Sequence, residues 1–175
     1  MYREDIKIPL ERVAVLVGKK GSVKKKIEKK TKTKIKVDSK EGDIAITGDD
    51  SLNVYDSKQM VRAISRGFNP ELAYELENED VTLEVIDMQE YSGKSKAKLE
   101  RLRGRCIGQN GRARRLIEEL TDTDVSIYGK TVSIIGNTEN VAAARRAFEA
   151  LLSGSEHGNV YRMLEKKRKY LKIRL

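Results

Sequence analysis

Two glycine pairs with the same spacing stand ninety residues apart, Gly18-Lys19-Lys20-Gly21 and Gly108-Gln109-Asn110-Gly111. Lacking a Cβ, glycine lets backbone approach an anion in conformations that a side chain would obstruct. A helix starting just after such a pair adds its free N–H groups and positive dipole end. Together these could clamp a phosphodiester backbone. Both pairs are ringed by cations: Lys19 to Lys40 holds eleven lysines against Glu28 and Asp38, and Lys94 to Arg115 holds nine cations against Glu100. Neither pair encloses an acidic residue. Candidate contacts in the first cluster are Gly18, Lys19, Lys20, Gly21, Lys24, Lys25, Lys34 and Lys36. In the second, Gln109 and Asn110 are neutral, so Gly108 and Gly111 must draw cations from Arg103, Arg105, Arg112, Arg114 and Arg115. One such glycine pair is a weak signal, no more than a tight helix-to-helix turn. Two in the same setting are a stronger one.

The rest of the inventory narrows the chemistry. With 175 residues, a net charge of +9 and a pI near 9.5, the chain asks for a polyanionic partner, nucleic acid or an anionic membrane. The apolar run Val13 to Val17 is far short of the roughly 20 residues that span a bilayer. Met1 to Asp5 leads into a charged segment, not a secretory apolar stretch. A soluble protein of the cytoplasm is the expectation. Cys106 is the single cysteine, which excludes an internal disulfide and a multi-cysteine metal site; a small buried apolar role suits it. His157, the single histidine, reads as an exposed loop residue between Ser155 and Gly158. Asp49-Asp50 and Asp122-x-Asp124 sit where Asp is ordinary, at turns and caps. No Lys-Ser/Thr pair follows Gly104 and Gly108, so the Gly-x-x-x-x-Gly-Lys-Ser/Thr phosphate loop of nucleoside triphosphatases is excluded. The expectation is a binding protein, not an enzyme, needing no cofactor or metal. Seven Tyr, two Phe and no Trp argue against an aromatic stacking sheet. Phe68 and Phe148 fall on apolar helix faces and read as core.

The elements needed to hold two such turns repeat along the chain. Ile27-Glu28, Thr31, Ile35 and Val37 recur as Ile117-Glu118, Thr121, Val125 and Ile127 at the same offset as the glycines, and Gly48 recurs as Gly136 two residues closer. Each copy reads strand, helix, glycine turn, helix, strand, strand, helix. In the first, alternation predicts a strand over Asp5–Pro9 and another over Lys34–Val37. A helix runs from Leu10 to Val17, Ser22 is expected to cap the next, and Ser51 a longer one. In the second, strands fall at Val81–Met88, Asp124–Tyr128 and Thr131–Ile135, with Gly129-Lys130 as a tight hairpin. Asn69-Pro70 opens a short linking helix. The expected domains are residues 1–79 with the linking helix, 80–155, and a basic, partly helical tail over 156–175.

The pattern Val/Ile-Gly-x-x-Gly followed by Ile27 or Ile117, inside β-α-α-β-β-α, resembles the type I KH domain. That resemblance implies an α+β fold of two KH domains, each a three-stranded sheet packed against three helices. It also implies a groove holding about four nucleotides of single-stranded RNA. Two such copies covering nearly the whole chain, with Leu102 to Thr121 the most telling stretch, are similar to the archaeal relatives of the partner-of-Nob (Dim-two/Krr-like) ribosome assembly factors. This similarity implies binding near the 3′ region of small-subunit (16S) rRNA during its maturation. It further implies contact with the endonuclease Nob and with the alpha subunit of translation initiation factor two. The neutral Gln109-Asn110 departs from the basic or small pair expected there. Other readings of the same fold are a protein-interaction scaffold docking through the helices at 51–68 and 138–152, or a general RNA chaperone.

Overall fold

The computed structural model describes residues 1–173, and the chain separates into two compact units, Met1–Val81 and Thr82 onward. In the first unit the order is β1 (Tyr2–Lys7), α1 (Leu10–Val17), α2 (Ser22–Thr31), β2 (Lys34–Asp38), β3 (Asp43–Gly48), α3 (Ser51–Ser65) and α4 (Pro70–Tyr74). The second runs β4 (Val81–Asp87), α5 (Gln89–Ser92), α6 (Lys96–Ile107), α7 (Arg112–Thr121), β5 (Asp124–Tyr128), β6 (Thr131–Asn137), α8 (Thr138–Leu152) and α9 (His157–Ile173). Each sheet has three strands with the last in the middle, β1-β3-β2 and β4-β6-β5.

The first strand lies earlier than its alternation suggested. Pairing with β3 runs from Tyr2↔Gly48 to Lys7↔Asp43, so Pro9, which cannot donate to a ladder, stands outside the sheet before α1. On β2 and β3 the period of two sends Ile35, Ile44 and Ile46 inward, all nearly sealed from solvent. Leu16, Ile27, Val61 and Ile64 meet them from α1, α2 and α3. Burying side chains of this size stabilises by about 1.5–3 kcal/mol each, so these alternations decide the fold. The second unit has the same arrangement around Cys106, Ile117, Ile134 and Phe148.

Both expected serine caps move by one residue. Ser51 is the first residue of α3, and Asp50 caps it, its Oδ1 accepting from the N–H groups of Leu52 (2.7 Å) and Asn53 (3.4 Å). Ser22 is likewise the first residue of α2, preceded by Gly21 in a left-handed conformation. Asn69 caps α4 as expected, with Pro70 in the first turn. The segment expected as a basic tail is one helix from His157 to Ile173. Its Val160 and Leu164 are 3% exposed and join the second core; residues 174 and 175 of that segment lie outside the described residues.

The duplication runs further than the sequence comparison reached. Gly67 and Gly154, 87 residues apart, both have φ near +100° and end α3 and α8 with the same bonds, Gly67 N–H to the Ile64 carbonyl and Gly154 N–H to that of Leu151 (3.2 Å each). An arginine fastens each of these ends. Arg12 donates to the carbonyls of Ile64 and Phe68 at 2.8 Å, and Arg105 to those of Leu151 (3.0 Å) and Ser155. The two arginines are not aligned in sequence: Arg12 precedes its glycine turn by six residues and Arg105 by three, one helical turn apart on the same face. Arg105, expected as a phosphate contact, thus spends Nε and one terminal nitrogen on backbone carbonyls. Replacing Arg105 or Arg12 by Ala is expected to lower stability by about 1.5–3 kcal/mol, the range for bonds to a charged donor, read from the denaturation midpoint. An unchanged midpoint would contradict the fastening role.

Candidate nucleic-acid interface

The two glycine turns are near copies. Gly18 has φ/ψ of 73°/175° and Gly108 73°/173°; Gly21 has 76°/15° and Gly111 75°/13°. The two glycines serve different ends. A Cβ on Gly108 would lie 2.6 Å from the Ala113 nitrogen, and one on Gly18 2.5 Å from Val23 Cγ2, so the first glycine lets two helices close. A Cβ on Gly111 would meet nothing within 4 Å, so the second is required by its positive φ alone. Lys20 and Asn110 also adopt positive φ, 54° and 55°. Asn tolerates this left-handed region better than most residues, which accounts for the departure at Gln109-Asn110: the backbone selects Asn110.

The glycine amides do not face outward. Gly18 N–H donates to the Ala14 carbonyl (2.9 Å) and Gly21 N–H to that of Gly18 (3.2 Å); Gly108 and Gly111 repeat this with Gly104 (2.8 Å) and Gly108 (3.2 Å). The anion-facing feature is instead the helix that follows. Neither α2 nor α7 has a side-chain cap, so its positive end is left to whatever meets the exposed pairs Lys19-Lys20 and Gln109-Asn110.

The candidate cations divide by what they touch. Lys19, Lys20 and Arg112 are exposed at the turns, and among the described residues no carboxylate pairs with them. Lys25 lies beside Gly21, its Cε 3.7 Å from where a Cβ would stand. Arg115, ninety residues on, donates to the Asn110 carbonyl at 2.7 Å and braces the second turn. Lys24 and Arg114 are held by carboxylates one turn on, Glu28 (3.3 Å) and Glu118 (2.9 Å). Each of those carboxylates also accepts a strand amide at 2.8 Å, from Ile35 or Val125, and so pins the helix to the edge strand. Lys34 and Lys36 alternate with the buried Ile35 and project from the sheet face opposite the helices; the structure does not bring them to the turn. Arg103 reaches Glu100 at 3.8 Å and its Nε is buried without a protein partner.

Two residues outside the expected set, His157 and Tyr161, stand next to the second turn. His157 is not a loop residue: it begins α9, its Nε2 lies 2.8 Å from the Arg105 carbonyl, and its ring meets Tyr161 at 6.1 Å. With Arg101, Gln109 and Arg112 they border an open groove of about 710 Å³. Burial pushes the Tyr161 hydroxyl above its ordinary pKa, with the Arg112 guanidinium opposing. The offset of 87 that relates Gly67 to Gly154 also relates Tyr74 to Tyr161, and that signal could have found it. Cys106 is fully buried, and burial pushes its thiol up to about 12. Among the described residues no group of three His, Cys, Asp or Glu is placed to hold a metal ion, and no helix is long and apolar enough to cross a membrane.

Fold and turns together define a protein of two type I KH domains. Comparison with known proteins bears this out: residues 82–169 match the eukaryotic-type KH domain (KH-domain type I) of the PNO1 group, and residues 3–63 match the KH domain. A KH domain-containing protein of Methanocaldococcus jannaschii is 46% identical over 173 residues, 97% of this chain and 75% of that protein. RNA-binding protein pno1 of Dictyostelium discoideum is 27% identical over 91% of this chain and 69% of its own. Dim2p from Pyrococcus horikoshii superposes with a TM-score of 0.87 at 48% identity, covering 95% of this chain and 99% of that one. The same score and identity hold for the protein in the a/eIF2alpha-aDim2p-rRNA complex of that organism, with 96% and 94% covered. The chain belongs to the Dim2/PNO1 family of tandem KH proteins.

Two expected outcomes follow from the turn and its pinning carboxylate. Gly111→Ala is expected to cost about 1–2 kcal/mol from its left-handed φ alone. Gly108→Ala, clashing as well, is expected to cost more than about 3 kcal/mol. Equal losses in denaturation would contradict the division of roles. Burial is the main cause raising the Glu118 pKa above its ordinary 4.5, against the Val125 amide and Arg114. A raised folded pKa means that this group favours the fold most below the unfolded value and loses that contribution as pH rises through the folded one. Glu118→Gln keeps an acceptor for Val125 and removes the titration. Its stability relative to the parent is expected to rise as pH climbs from below the ordinary carboxylate value through the raised folded one. A difference that stays flat with pH would show that Glu118 does not titrate in this window.

Proposed function

We propose that this protein binds single-stranded RNA through both glycine turns, without catalysing a reaction on it. The observation that carries the reading is the pair of matching turns, each opening an uncapped helix, with Lys19, Lys20 and Arg112 exposed and unpaired with any carboxylate among the described residues. Such an arrangement recognises a sugar-phosphate chain by charge and close backbone approach, leaving base reading to the adjoining groove. The net charge of +9 supports a polyanion as partner. The KH relatives named as RNA-binding, and the Pyrococcus protein solved with rRNA, support the same class of ligand.

The finer reading is a ribosome biogenesis factor on the 3′ region of small-subunit pre-rRNA. What supports it is the relation to proteins named as pre-rRNA-processing PNO1. The alpha subunit of initiation factor two is the first candidate protein partner, supported by its presence in the Pyrococcus assembly. The endonuclease Nob is a second, resting on the sequence resemblance alone.

The test replaces the variable pair of each turn by aspartate, Lys19→Asp with Lys20→Asp and Gln109→Asp with Asn110→Asp. Asp is tolerated at the left-handed positions 20 and 110, so the fold is retained while two negative charges face the phosphate. Affinity for single-stranded RNA is expected to fall at least about tenfold for each, with unchanged unfolding midpoints. If both variants fold and bind as the parent does, the protein is a scaffold docking through other surfaces.

A further inference from the structure

Domain duplication gave each KH unit a helix after its last core helix, and the two have diverged in charge. In the first unit α4 and the turn after it carry Glu71, Glu75 and Glu77. Glu71 lies 3.9 Å from Lys26, Glu77 pairs with Lys30, and the Lys26 ammonium sits 4.2 Å over the Tyr74 ring. The flank of α2 is thereby neutralised and its aromatic face covered.

The second unit presents the reverse. Over the first two turns of α9, from His157 to Leu164, there is no acidic residue. Tyr161, the counterpart of Tyr74, has no lysine over it among the described residues. The groove beside it opens directly onto Gly108 and Gln109, and no carboxylate lines it. Its walls carry two exposed guanidiniums, Arg101 from α6 and Arg112 from α7; neither has a hydrogen-bond or ion-pair partner among the described residues. Arg105, also in the wall, is engaged with the carbonyls at the end of α8 and supplies rigidity. The His157 ring is fixed by the Arg105 carbonyl and tilted 57° to Tyr161, so the aromatic corner is held in place. Gly104 keeps the floor low: a Cβ there would meet nothing within 4 Å.

Two free cations, a fixed aromatic edge and an open trough beginning at a phosphate-binding turn match one chemical unit, a nucleotide. We infer that this groove is a subsite for one further nucleotide of the strand held at Gly108–Gly111, with Arg101 and Arg112 on its phosphate and Tyr161 against its base. The inference rests on the RNA-binding reading above and adds to it. In the first domain the equivalent flank instead carries Glu71 beside Lys26, with Lys26 over Tyr74, so the second domain is the one suited to a longer stretch of strand.

The test compares the full-length parent with Arg101→Ala and Tyr161→Leu on a single-stranded RNA ending in the small-subunit rRNA 3′ terminus. Arg101 lies on the surface of α6, so its loss leaves the fold intact; Tyr161→Leu keeps apolar packing, and its unfolding midpoint is measured alongside. Both variants are expected to bind roughly five- to tenfold more weakly. The salt slope should drop by about one for Arg101→Ala and stay unchanged for Tyr161→Leu. The nuclease footprint should shorten by a nucleotide at one end in both. If the Gln109→Asp/Asn110→Asp variant loses binding while these two keep parental affinity, slope and footprint, the subsite is refuted and the RNA-binding reading stands. If all three bind as the parent does, that reading fails with it.

Discussion

A helix that begins without a side-chain cap, immediately after a glycine held at positive φ, is the constraint around which each half of this chain is organised. The first glycine of the pair must lack a Cβ so that the two helices can close to within contact of Val23 or Ala113. The second must adopt a backbone conformation that other residues enter only at a cost of about 1–2 kcal/mol. The reward for this local strain is an outward-facing positive helix end with cations beside it. A fold that kept its helices but capped them with Ser or Asp would be as stable or more so, and would have lost the place for an anion.

The rest of each domain holds that turn still. Glu28 and Glu118 tie the helix after the turn to the edge strand and pair with Lys24 and Arg114 one turn back. Arg12 and Arg105 tie the helix before the turn to the end of the last core helix. Lys24, Arg12, Arg105, Arg114 and Arg115 therefore serve the scaffold. The free ones are fewer and lie closer to the glycines than the raw charge clusters suggest.

Much of this was legible in the sequence because the repeat is the signal. Ile35 with Val125, Thr31 with Thr121 and the glycine pairs align at one offset, and elements with the right period lie between them. Caps were less legible: Asp50 and Ser51 are both good caps, and only the backbone decides that Asp50 is placed to accept from Leu52 and Asn53. Charge runs misled in another way. Arg105, Arg114, Lys34 and Lys36 look alike along the chain, yet Arg105 bonds the end of α8, Arg114 pairs with Glu118, and alternation sends Lys34 and Lys36 to the other sheet face. His157 and Tyr161 were hidden because shorter connections in the second copy shift its register from 90 to 87 residues, so the match of Tyr161 to Tyr74 falls outside a fixed-offset comparison.

The two domains are thus alike in backbone and unlike in surface. The first is lysine-rich at its turn and closed along its flank by glutamates. The second replaces the lysine pair by Gln109-Asn110 and compensates with arginines and an open aromatic corner. Arginine adds planar stacking to charge, a surface chemistry suited to bases as well as phosphates. The most direct test of the central claim is to follow backbone amide resonances of the full chain while single-stranded RNA is added. The account predicts the largest shifts at Lys19–Val23 and Gln109–Ala113, the two helix starts. Shifts confined to α3 and α8, with those two segments unmoved, would contradict it.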